Sequence, residues 1–287
     1  MVPSLIPSGP EQLRFASWNI RGGLSDPRRA TAIADLLIER QDDVVALPDA
    51  WHEDSERSIA SGRHLAVSPA DFLRSGYMLT DAWFEENRPD DNFARFHFAT
   101  LIRQDLDANP QEMRLGTRPA MRMALTLGRT TLNVNCLYLN DQSKWNRAVQ
   151  IDDLFDHLGT QSDVPTMLMG DFNDMHRNTR IAKLLQSAPY RRTLGRLPVG
   201  NYVFPSLAEM AEGSAIQALE AKGFTDIDPF RRPTMPSRLP LFQLDRFMLR
   251  NSYGHIQADP TTGMNKPPLS DHSLIATTLR TTRQERA

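Results

Sequence analysis

The sequence has very little cysteine and no long apolar run. Cys136 is the single cysteine in 287 residues, so an internal disulfide is excluded and this residue is expected to lie buried in a strand. No apolar stretch approaches the roughly 18 residues that a membrane-spanning helix needs, and Met1–Gln12 lacks the basic start and apolar centre of a signal peptide. We therefore expect a cytoplasmic protein without stable membrane insertion, and no feature of the sequence indicates an obligate protein partner.

Lysine is also scarce, with four in the whole chain, so arginine carries most of the positive charge. The net charge of −2 hides an uneven distribution. Residues 1–174 hold 17 basic and 26 acidic side chains, whereas residues 175–250 hold 12 basic and 6 acidic ones. The planar guanidinium group suits phosphate recognition, so the second segment is a candidate surface for an anionic substrate. A solvated basic surface in a protein that prefers arginine to lysine explains the same pattern.

Two short polar motifs follow apolar segments and carry the functional signal. They are Gly170–Asn173, which reads Gly-Asp-Phe-Asn, and Ser270–His272, which reads Ser-Asp-His. Aspartate and asparagine offer the hard oxygen ligands that Mg²⁺ or Mn²⁺ prefers, and histidine adds a titratable donor. These groups suit phosphate ester hydrolysis, in which a metal neutralises the phosphate, a carboxylate activates water and a cationic donor stabilises the developing charge. Either motif alone is also typical of a turn after a strand.

Other strand-like segments carry polar residues at one end in the same way. They are Leu13–Ile20 with Asn19, Val44–Asp49 with its terminal acid, Leu132–Leu139 ahead of Asn140, and Gln243–Leu249 with Asp245 near its start. Strands that deliver polar side chains to one end indicate a site built at the edge of a sheet.

Taken in chain order, these motifs resemble those of the endonuclease/exonuclease/phosphatase superfamily, which has the deoxyribonuclease-I-like fold. The similarity extends over residues 12–280. Ser17–Ile20 resembles the first motif, Gly170–Asn173 the central motif and Ser270–His272 the closing motif. Pro236–Arg238 with Leu244–Phe247 is similar to the segment that carries an arginine and a strand aspartate. The resemblance implies an α/β fold, a four-layered sandwich of two packed mixed β-sheets flanked by helices.

The resemblance also implies a reaction and the residues that perform it. The reaction is metal-dependent hydrolysis of a phosphodiester by in-line attack of water, with Mg²⁺ or Mn²⁺ as cofactor. A nucleic acid, a nucleotide or a lipid headgroup is the implied substrate class. The implied metal ligands are Asn19, Asp49 and Asp271. The implied catalytic residues are Asp171, Asn173, Asp245, His272 and Tyr138.

Within this scheme the residues have separate tasks. Asp171 positions or deprotonates the water, and a protonated His272, oriented by a neighbouring carboxylate, donates to a phosphate oxygen. Arg238 matches the arginine of the family and is a candidate contact to the substrate. His176 and Arg177 follow the Gly-Asp-Phe-Asn turn and are further candidates for substrate binding.

Two positions depart from the family pattern. Asp49 stands where the family has the glutamate that is its principal metal ligand, and Tyr138 stands where a histidine is usual. Aspartate is one methylene shorter, so it reaches the metal only through a backbone shift or a water. A phenol, with a pKa of about 10, is not a cation at neutral pH but still donates a hydrogen bond. The two changes motivate an alternative, a catalytically weakened or inactive module that binds a phosphate ligand or a partner on the same fold.

The chain is predicted to form one domain over residues 12–280, with a disordered lead-in over residues 1–11 and a polar tail over residues 281–287. No repeat, low-complexity tract or linker divides it. Further predicted strands are Phe93–Ile102, Met121–Leu127 and Thr130–Leu139, the last two joined by a turn at Gly128-Arg129. The predicted helices are Arg28–Arg40, a helix capped by Ser143 that ends at Leu158, Ile181–Leu185 and Leu207–Ala221.

Overall fold

The computed structural model describes residues 9–26, 28–50, 69–87, 93–159, 163–190, 206–238, 241–252, 255–265 and 269–282. Within these residues the chain forms two mixed β-sheets, of seven and six strands, that share an apolar core. Helices cover the outer face of each sheet. The expected α/β sandwich of two packed mixed sheets with flanking helices is therefore confirmed.

The strands follow one another in two groups along the chain. In chain order they are β1 (Gln12–Ser17), β2 (Val44–Pro48), β3 (Tyr77–Asn87), β4 (Phe93–Arg103), β5 (Gln111–Leu115), β6 (Arg118–Leu127), β7 (Thr130–Tyr138), β8 (Thr166–Asp171), β9 (Thr225–Asp226), β10 (Asp245–Arg250), β11 (Ile256–Ala258), β12 (Thr262–Met264) and β13 (Leu274–Thr281). The seven-stranded sheet has the order β11-β13-β1-β2-β4-β3, and β12 pairs with β13 beside that path. The six-stranded sheet has the order β5-β6-β7-β8-β10-β9.

The inner strands are apolar throughout because both of their faces are covered. In β2, Val44 and Ala46 point into the core between the sheets, whereas Val45 and Leu47 pack under the helices on the outer face. A strand buried on both faces therefore reads as a continuous apolar run rather than an alternating one. Cys136 lies in β7 within the core between the sheets, which confirms its predicted burial in a strand.

The helices form the two outer layers. Those with bounds inside the described residues include α1 (Ala30–Arg40), α2 (Pro69–Arg74), α3 (Lys144–Leu158), α4 (Arg180–Gln186) and α5 (Ser214–Ala221). The predicted cap of α3 is confirmed, because the Ser143 hydroxyl accepts a hydrogen bond from the Asn146 amide at 3.4 Å. In the part of the chain that the structure describes, no helix has the length and apolar character needed to cross a membrane.

Some predicted boundaries are wrong for identifiable reasons. The helix predicted over Leu207–Ala221 is interrupted before α5 at Gly213, where φ is 64°. A Cβ at that position would lie 2.4 Å from the Met175 carbonyl oxygen, so the close approach requires glycine. We did not predict the strand β13, which lies inside its sheet between β1 on one side and the short strands β11 and β12 on the other.

The ends of the predicted domain are bonded into the fold. Gly9 donates to the Gly128 carbonyl at 2.8 Å, and Gly128 donates to the Pro10 carbonyl at 2.7 Å. Thr281, the last residue of β13, donates to the Glu11 carbonyl at 3.0 Å. Residues 9–11 of the predicted lead-in are therefore bonded to the fold, and Thr281, the first residue of the predicted tail, belongs to a strand. Residues 1–8 and 283–287 lie outside the described residues.

Candidate active site

Polar side chains from both sheets meet at one edge of the sandwich. The parallel strands β1 and β2 end at this edge, as do β7 and β8, while β10 and β13 begin there. Asn19 and Asp49 follow β1 and β2, and His272 precedes β13. Asp171 and Asp245 are directly paired across β8 and β10. The strand order therefore brings together residues that are far apart in the sequence.

Asp171 is held by donors on both sides of its carboxylate. Asn19 Nδ2 donates to Oδ2 at 2.8 Å, and the backbone amide of Asn173 donates to Oδ1 at 2.9 Å. Asn173 has a left-handed φ of 46°, and its Nδ2 donates to the Leu139 carbonyl at 2.9 Å. The turn needs glycine at Gly170, because a Cβ there would lie 2.0 Å from the Leu137 carbonyl oxygen.

The environment makes Asp171 a stronger base than an ordinary aspartate. Burial and, to a smaller extent, the negative charge of Asp245 raise the pKa of Asp171, and the net value is about 6 instead of 3.8. The charge of His272 and the hydrogen bonds from Asn19 and Asn173 oppose this rise. A carboxyl group with this pKa is ionised at neutral pH and is suited to accept a proton from water.

His272 is paired with a buried carboxylate. Its Nδ1 lies 2.8 Å from Asp245 Oδ2, and both side chains are buried. Burial by itself would lower the pKa of His272, but the charge and hydrogen bond of Asp245, with the charges of Asp171 and Asp271, raise it to about 9. The imidazole is therefore protonated at neutral pH, with Nδ1 bonded to Asp245 and Nε2 left as the second donor.

Tyr138 lies at the end of β7, directly beside Asp171 in the parallel pair with β8. Its side chain is almost fully buried, and the Arg118 guanidinium lies 4.6 Å from the centre of its ring. Burial raises the pKa of Tyr138 well above its ordinary value; the charge of Arg118 opposes this, and the charge of Asp49 adds to it. Tyr138 is therefore a neutral phenol at any physiological pH and can act only as a hydrogen-bonding group.

Two of the predicted metal ligands lie on loops beside this group. Asp49 has a left-handed φ of 52°, and its carbonyl accepts a hydrogen bond from Gly22, so the loops after β1 and β2 are joined. Asp271 Oδ2 forms an ion pair with Arg21 Nη1 at 2.8 Å. Asp271 Oδ1 is buried and has no hydrogen-bond partner among the described residues.

The three predicted substrate contacts have different surroundings. Arg238 is exposed and lines a cleft that also includes Asp271. Arg177 is exposed as well. His176 is buried, and its ring contacts Arg231 Nη1 at 2.9 Å and Glu220 Oε1 at 3.3 Å. Burial and the charge of Arg231 lower the pKa of His176, so the ring is neutral at neutral pH.

The closeness of His176 to the Gly-Asp-Phe-Asn turn in the sequence does not by itself place its side chain among the catalytic residues. Within the described ranges, His176 forms no hydrogen bond or ion pair with Asp171, Asp245 or His272. Its closeness in sequence to the Gly-Asp-Phe-Asn turn did not reveal that its ring is bonded by Arg231. A role of His176 and Arg177 in substrate binding stays a prediction.

Sequence reasoning missed two residues that organise the site. Thr234 Oγ1 accepts hydrogen bonds from the backbone amides of Leu244 and Asp245, at 3.1 and 3.2 Å, and so fixes the start of β10. Arg21 pairs with Asp271 across the edge. A signal for Arg21 was present, because it lies two residues after Asn19 and directly before two glycines. No local signal marks Thr234.

One group of buried side chains in the described part of the chain has the spacing of a metal site. Asp171, Asp245 and His272 place one potential ligand atom each within 4.8 Å of one another. All three residues were predicted as catalytic residues rather than as metal ligands. Their arrangement provides a compact negative site with an adjacent imidazole.

The family comparison agrees with the order of the motifs. The model of the Endonuclease/Exonuclease/phosphatase family matches residues 16–272, which includes every motif at the sheet edge. Comparison with proteins of curated function gives no significant match.

Several solved structures share the fold at low sequence identity. The AP endonuclease LMAP from Leishmania major has a TM-score of 0.59 and 14% identity, over 94% of this chain and 88% of that chain. The human Nocturnin catalytic domain with bound sulfate has a TM-score of 0.57 and 16% identity, over 96% of each chain. D. rerio TDP2 complexed with a single-strand DNA product has a TM-score of 0.56 and 16% identity, over 94% of this chain and 99% of that chain. At these identities the similarity shows the fold alone.

Proposed function

The chain belongs to the endonuclease/exonuclease/phosphatase family, and from this premise we propose that it is a divalent-metal-dependent hydrolase of phosphodiesters. One observation carries the proposal: two buried pairs, Asn19 with Asp171 and Asp245 with His272, meet at one sheet edge. Their environments raise the pKa of Asp171 to about 6 and that of His272 to about 9. An ionised base and a protonated donor therefore coexist at neutral pH.

The residues at this edge fit a divalent cation. Asp245 Oδ1 and Asp271 Oδ1 are buried without a hydrogen-bond partner among the described residues, and such carboxylate oxygens suit a cation. We propose that Asn19, Asp49 and Asp271 hold Mg²⁺ or Mn²⁺, with the buried carboxylates alongside. When bound, the metal would neutralise charge on the phosphate and polarise the scissile phosphoryl group.

The side chains of this chain supply the proton transfers. Asp171, fixed by Asn19 and Asn173, accepts a proton from the attacking water. His272, held by Asp245, donates a hydrogen bond or a proton through Nε2 to a phosphate oxygen. Tyr138 adds a neutral hydrogen-bond donor to the same group.

The substrate is a phosphodiester of a nucleic acid, a nucleotide or a lipid headgroup. The D. rerio TDP2 neighbour holds a single-strand DNA product, and another neighbour is named as an AP endonuclease, which favours nucleic acid among these classes. The cytoplasmic location and the lack of an obligate protein partner remain predictions of the sequence.

The second candidate function is a module that binds a phosphate ligand without turnover. The shorter acid Asp49 and the neutral phenol Tyr138 motivate it, as does the ion pair between Arg21 and Asp271, which places a protein cation on a predicted metal ligand. In this case the fold and phosphate recognition would persist without hydrolysis.

The deciding experiment combines metal binding with hydrolysis. Mn²⁺ would be titrated calorimetrically into the native protein, and hydrolysis of bis(p-nitrophenyl) phosphate, single-strand oligonucleotides and a phosphomonoester would be followed. We expect the native protein to bind Mn²⁺ and to hydrolyse diesters, with hydrolysis lost in Asp171→Asn and kept in Asp152→Asn, an exposed acid on α3. Phosphate binding without turnover of any substrate at millimolar Mn²⁺ would instead assign the binding module.

A further inference from the structure

A cleft beside the candidate active site carries an unusual share of positive charge. Its volume is about 280 Å³, and its lining includes Arg21, Arg29, Arg238, Ser237, Ser270 and Asp271. The last of these residues directly precedes His272, so the cleft adjoins the proposed reaction centre. Three guanidinium groups face one carboxylate, which makes the cleft suited to an anion.

The loops that form this cleft are bonded to one another. The Ser237 amide donates to the Asp271 carbonyl and the Ser237 hydroxyl to the Ser270 carbonyl, both at 2.6 Å. The Ser270 hydroxyl donates to the Asn19 carbonyl at 2.6 Å. Arg21 donates through its backbone amide to Asn19 Oδ1 at 3.0 Å. These bonds hold the loops of Arg21, Ser237 and Ser270 next to Asn19, which is a proposed metal ligand.

The three arginines differ in what they have left to bind. Arg29 is engaged by protein groups, since its guanidinium donates to Asp26 and to the carbonyls of Leu269 and Arg21. Arg238 is exposed and forms no hydrogen bond or ion pair within the described part of the chain. Arg29 thus supports the backbone of Arg21, whereas Arg238 presents its donors to the cleft.

Arg21 is held by a contact that is easily exchanged. Its pair with Asp271 uses one nitrogen, and the two side chains are 67% and 30% exposed. Exposed pairs of this kind contribute little to stability, because water and salt screen them. A phosphate offers two oxygens to the planar fork and forms a stronger, charge-assisted contact. Replacing the contact between Arg21 and Asp271 by a contact between Arg21 and a phosphate would therefore favour binding of the phosphate.

We propose that Arg21 and Arg238 bind a second, non-scissile phosphate of the substrate. The protein would then select diesters that carry a neighbouring phosphate, as in a nucleotide strand, over isolated diesters. The cleft volume of about 280 Å³ suits one such group rather than a large ligand. The selection among substrates rests on the proposed hydrolytic function, whereas anion binding by the two arginines does not.

The first test measures anion binding without turnover. Inorganic phosphate would be titrated calorimetrically at low salt with a metal chelator present, into the native protein, Arg21→Gln, Arg238→Gln and Arg28→Gln. We expect each cleft variant to bind phosphate about tenfold more weakly, because a charge-assisted contact is lost. Arg28, an exposed arginine near Arg29 that does not line the cleft, is the matched control and should leave the affinity unchanged. Melting temperatures would verify that all variants are folded.

The second test compares two substrates that differ by one phosphate. Thymidine 5′-(p-nitrophenyl phosphate) carries the scissile diester, and its 3′-phosphorylated form adds the neighbouring phosphate of a strand. We expect the 3′-phosphate to lower KM in the native enzyme, and the ratio of the two KM values to approach one in Arg21→Gln, whatever this variant does to the simpler ester. The second phosphate could also belong to a nucleotide pyrophosphate, so pyrophosphate is tested as a competitor. Inhibition by pyrophosphate that depends on Arg21, without an effect of the 3′-phosphate, would assign the cleft to nucleotide pyrophosphates.

The outcomes separate this inference from the proposed function. Phosphate affinity that is equal in all four proteins overturns the cleft proposal, whatever the enzyme hydrolyses. Weaker phosphate binding in the two cleft variants, with no hydrolysis by the native protein, supports the cleft and refutes the hydrolase. Retention of phosphate binding in His272→Gln would further show that the anion occupies the cleft rather than the reaction centre, and its loss there would overturn the assignment.

Discussion

The pair of Asp245 and His272 permits a sharp test of the proton donor, through the substitution Asp245→Asn. In the native protein burial lowers the pKa of His272, but the charge of Asp245 and its 2.8 Å hydrogen bond bring the value up to about 9. Asparagine keeps the shape of the side chain and removes the charge. The charges of Asp171 and Asp271 still oppose burial, so the pKa of His272 should fall from about 9 towards its ordinary value of 6.5.

The size of the effect follows from the pKa values. The difference between about 9 and 6.5 corresponds to about 3 kcal/mol of preferential stabilisation of the imidazolium. At pH 8 nearly all of the native His272 is protonated, whereas as little as about 3% would be in the variant if its pKa reached 6.5, so kcat/KM should fall by up to about 30-fold from this cause alone. At pH 5.5 both forms are largely protonated, and the loss from this cause should be small.

The assay is the pH dependence of kcat/KM on a p-nitrophenyl diester at saturating Mg²⁺, with NMR titration of the imidazole. The native profile should rise through about pH 6 with Asp171 and fall through about pH 9 with His272. Both limbs should move to lower pH in Asp245→Asn, since Asp245 also raises the pKa of Asp171. Asp259→Asn, in an exposed pair with Arg280, is the control. An unchanged alkaline limb in Asp245→Asn would refute the donor role of His272.

Three further predictions follow from the same site. Asp171→Asn should abolish hydrolysis yet raise the free energy of unfolding at pH 7 by up to about 3 kcal/mol, because the folded pKa of about 6 lies above 3.8. This gain should vanish as pH falls to 3.8, which chemical denaturation at several pH values would show, and a loss of stability at pH 7 would contradict it. Arg238→Ala should lower kcat/KM by an equivalent of roughly 2 kcal/mol, and Arg238→Lys should lower it by less. Arg231→Ala should change mainly the salt dependence of substrate association. Equal small effects at both positions would show that Arg238 has no special role. Asp49→Glu should tighten Mn²⁺ binding in calorimetry and raise activity at limiting metal but not at saturation, and weaker binding would show that the pocket has adapted to the shorter acid.

The polar strand ends were predictable because the signal is local. A strand pattern that stops at Asn19, Asp49 or Asp171 predicts both the strand and the end of the strand at which the polar residue lies. The pairing of β1 with β2 and of β7 with β8 then places these ends at one edge. The strand β13 was less visible, since its first four residues are buried on both faces and show no alternation.

The contacts that complete the site were not predictable from the sequence. Arg21 meets Asp271 across 250 residues of chain, and Thr234 fixes the start of β10 through backbone amides. Neither contact leaves a periodic trace, because each depends on how two loops approach each other. His176 shows the converse, since a position near a motif does not determine whether the side chain reaches the same pocket.

The surroundings of Tyr138, which include Arg118 and the other departure from the family pattern, Asp49, explain how a phenol is accommodated at this position. This guanidinium is almost fully buried, pairs with Asp141 at 2.6 Å and lies 4.6 Å from the ring centre of Tyr138. A histidine at position 138 would meet burial and this positive charge, which oppose an imidazolium, together with the charges of Asp49, Asp141 and Asp171, which favour it. A phenol has no such conflict, because it donates a hydrogen bond while neutral. The negative charge of Asp49 strengthens the neutral form of Tyr138 further. Tyrosine at this position therefore keeps one defined state, a neutral donor among charges of both signs, which is the condition that a rearranged working site would need.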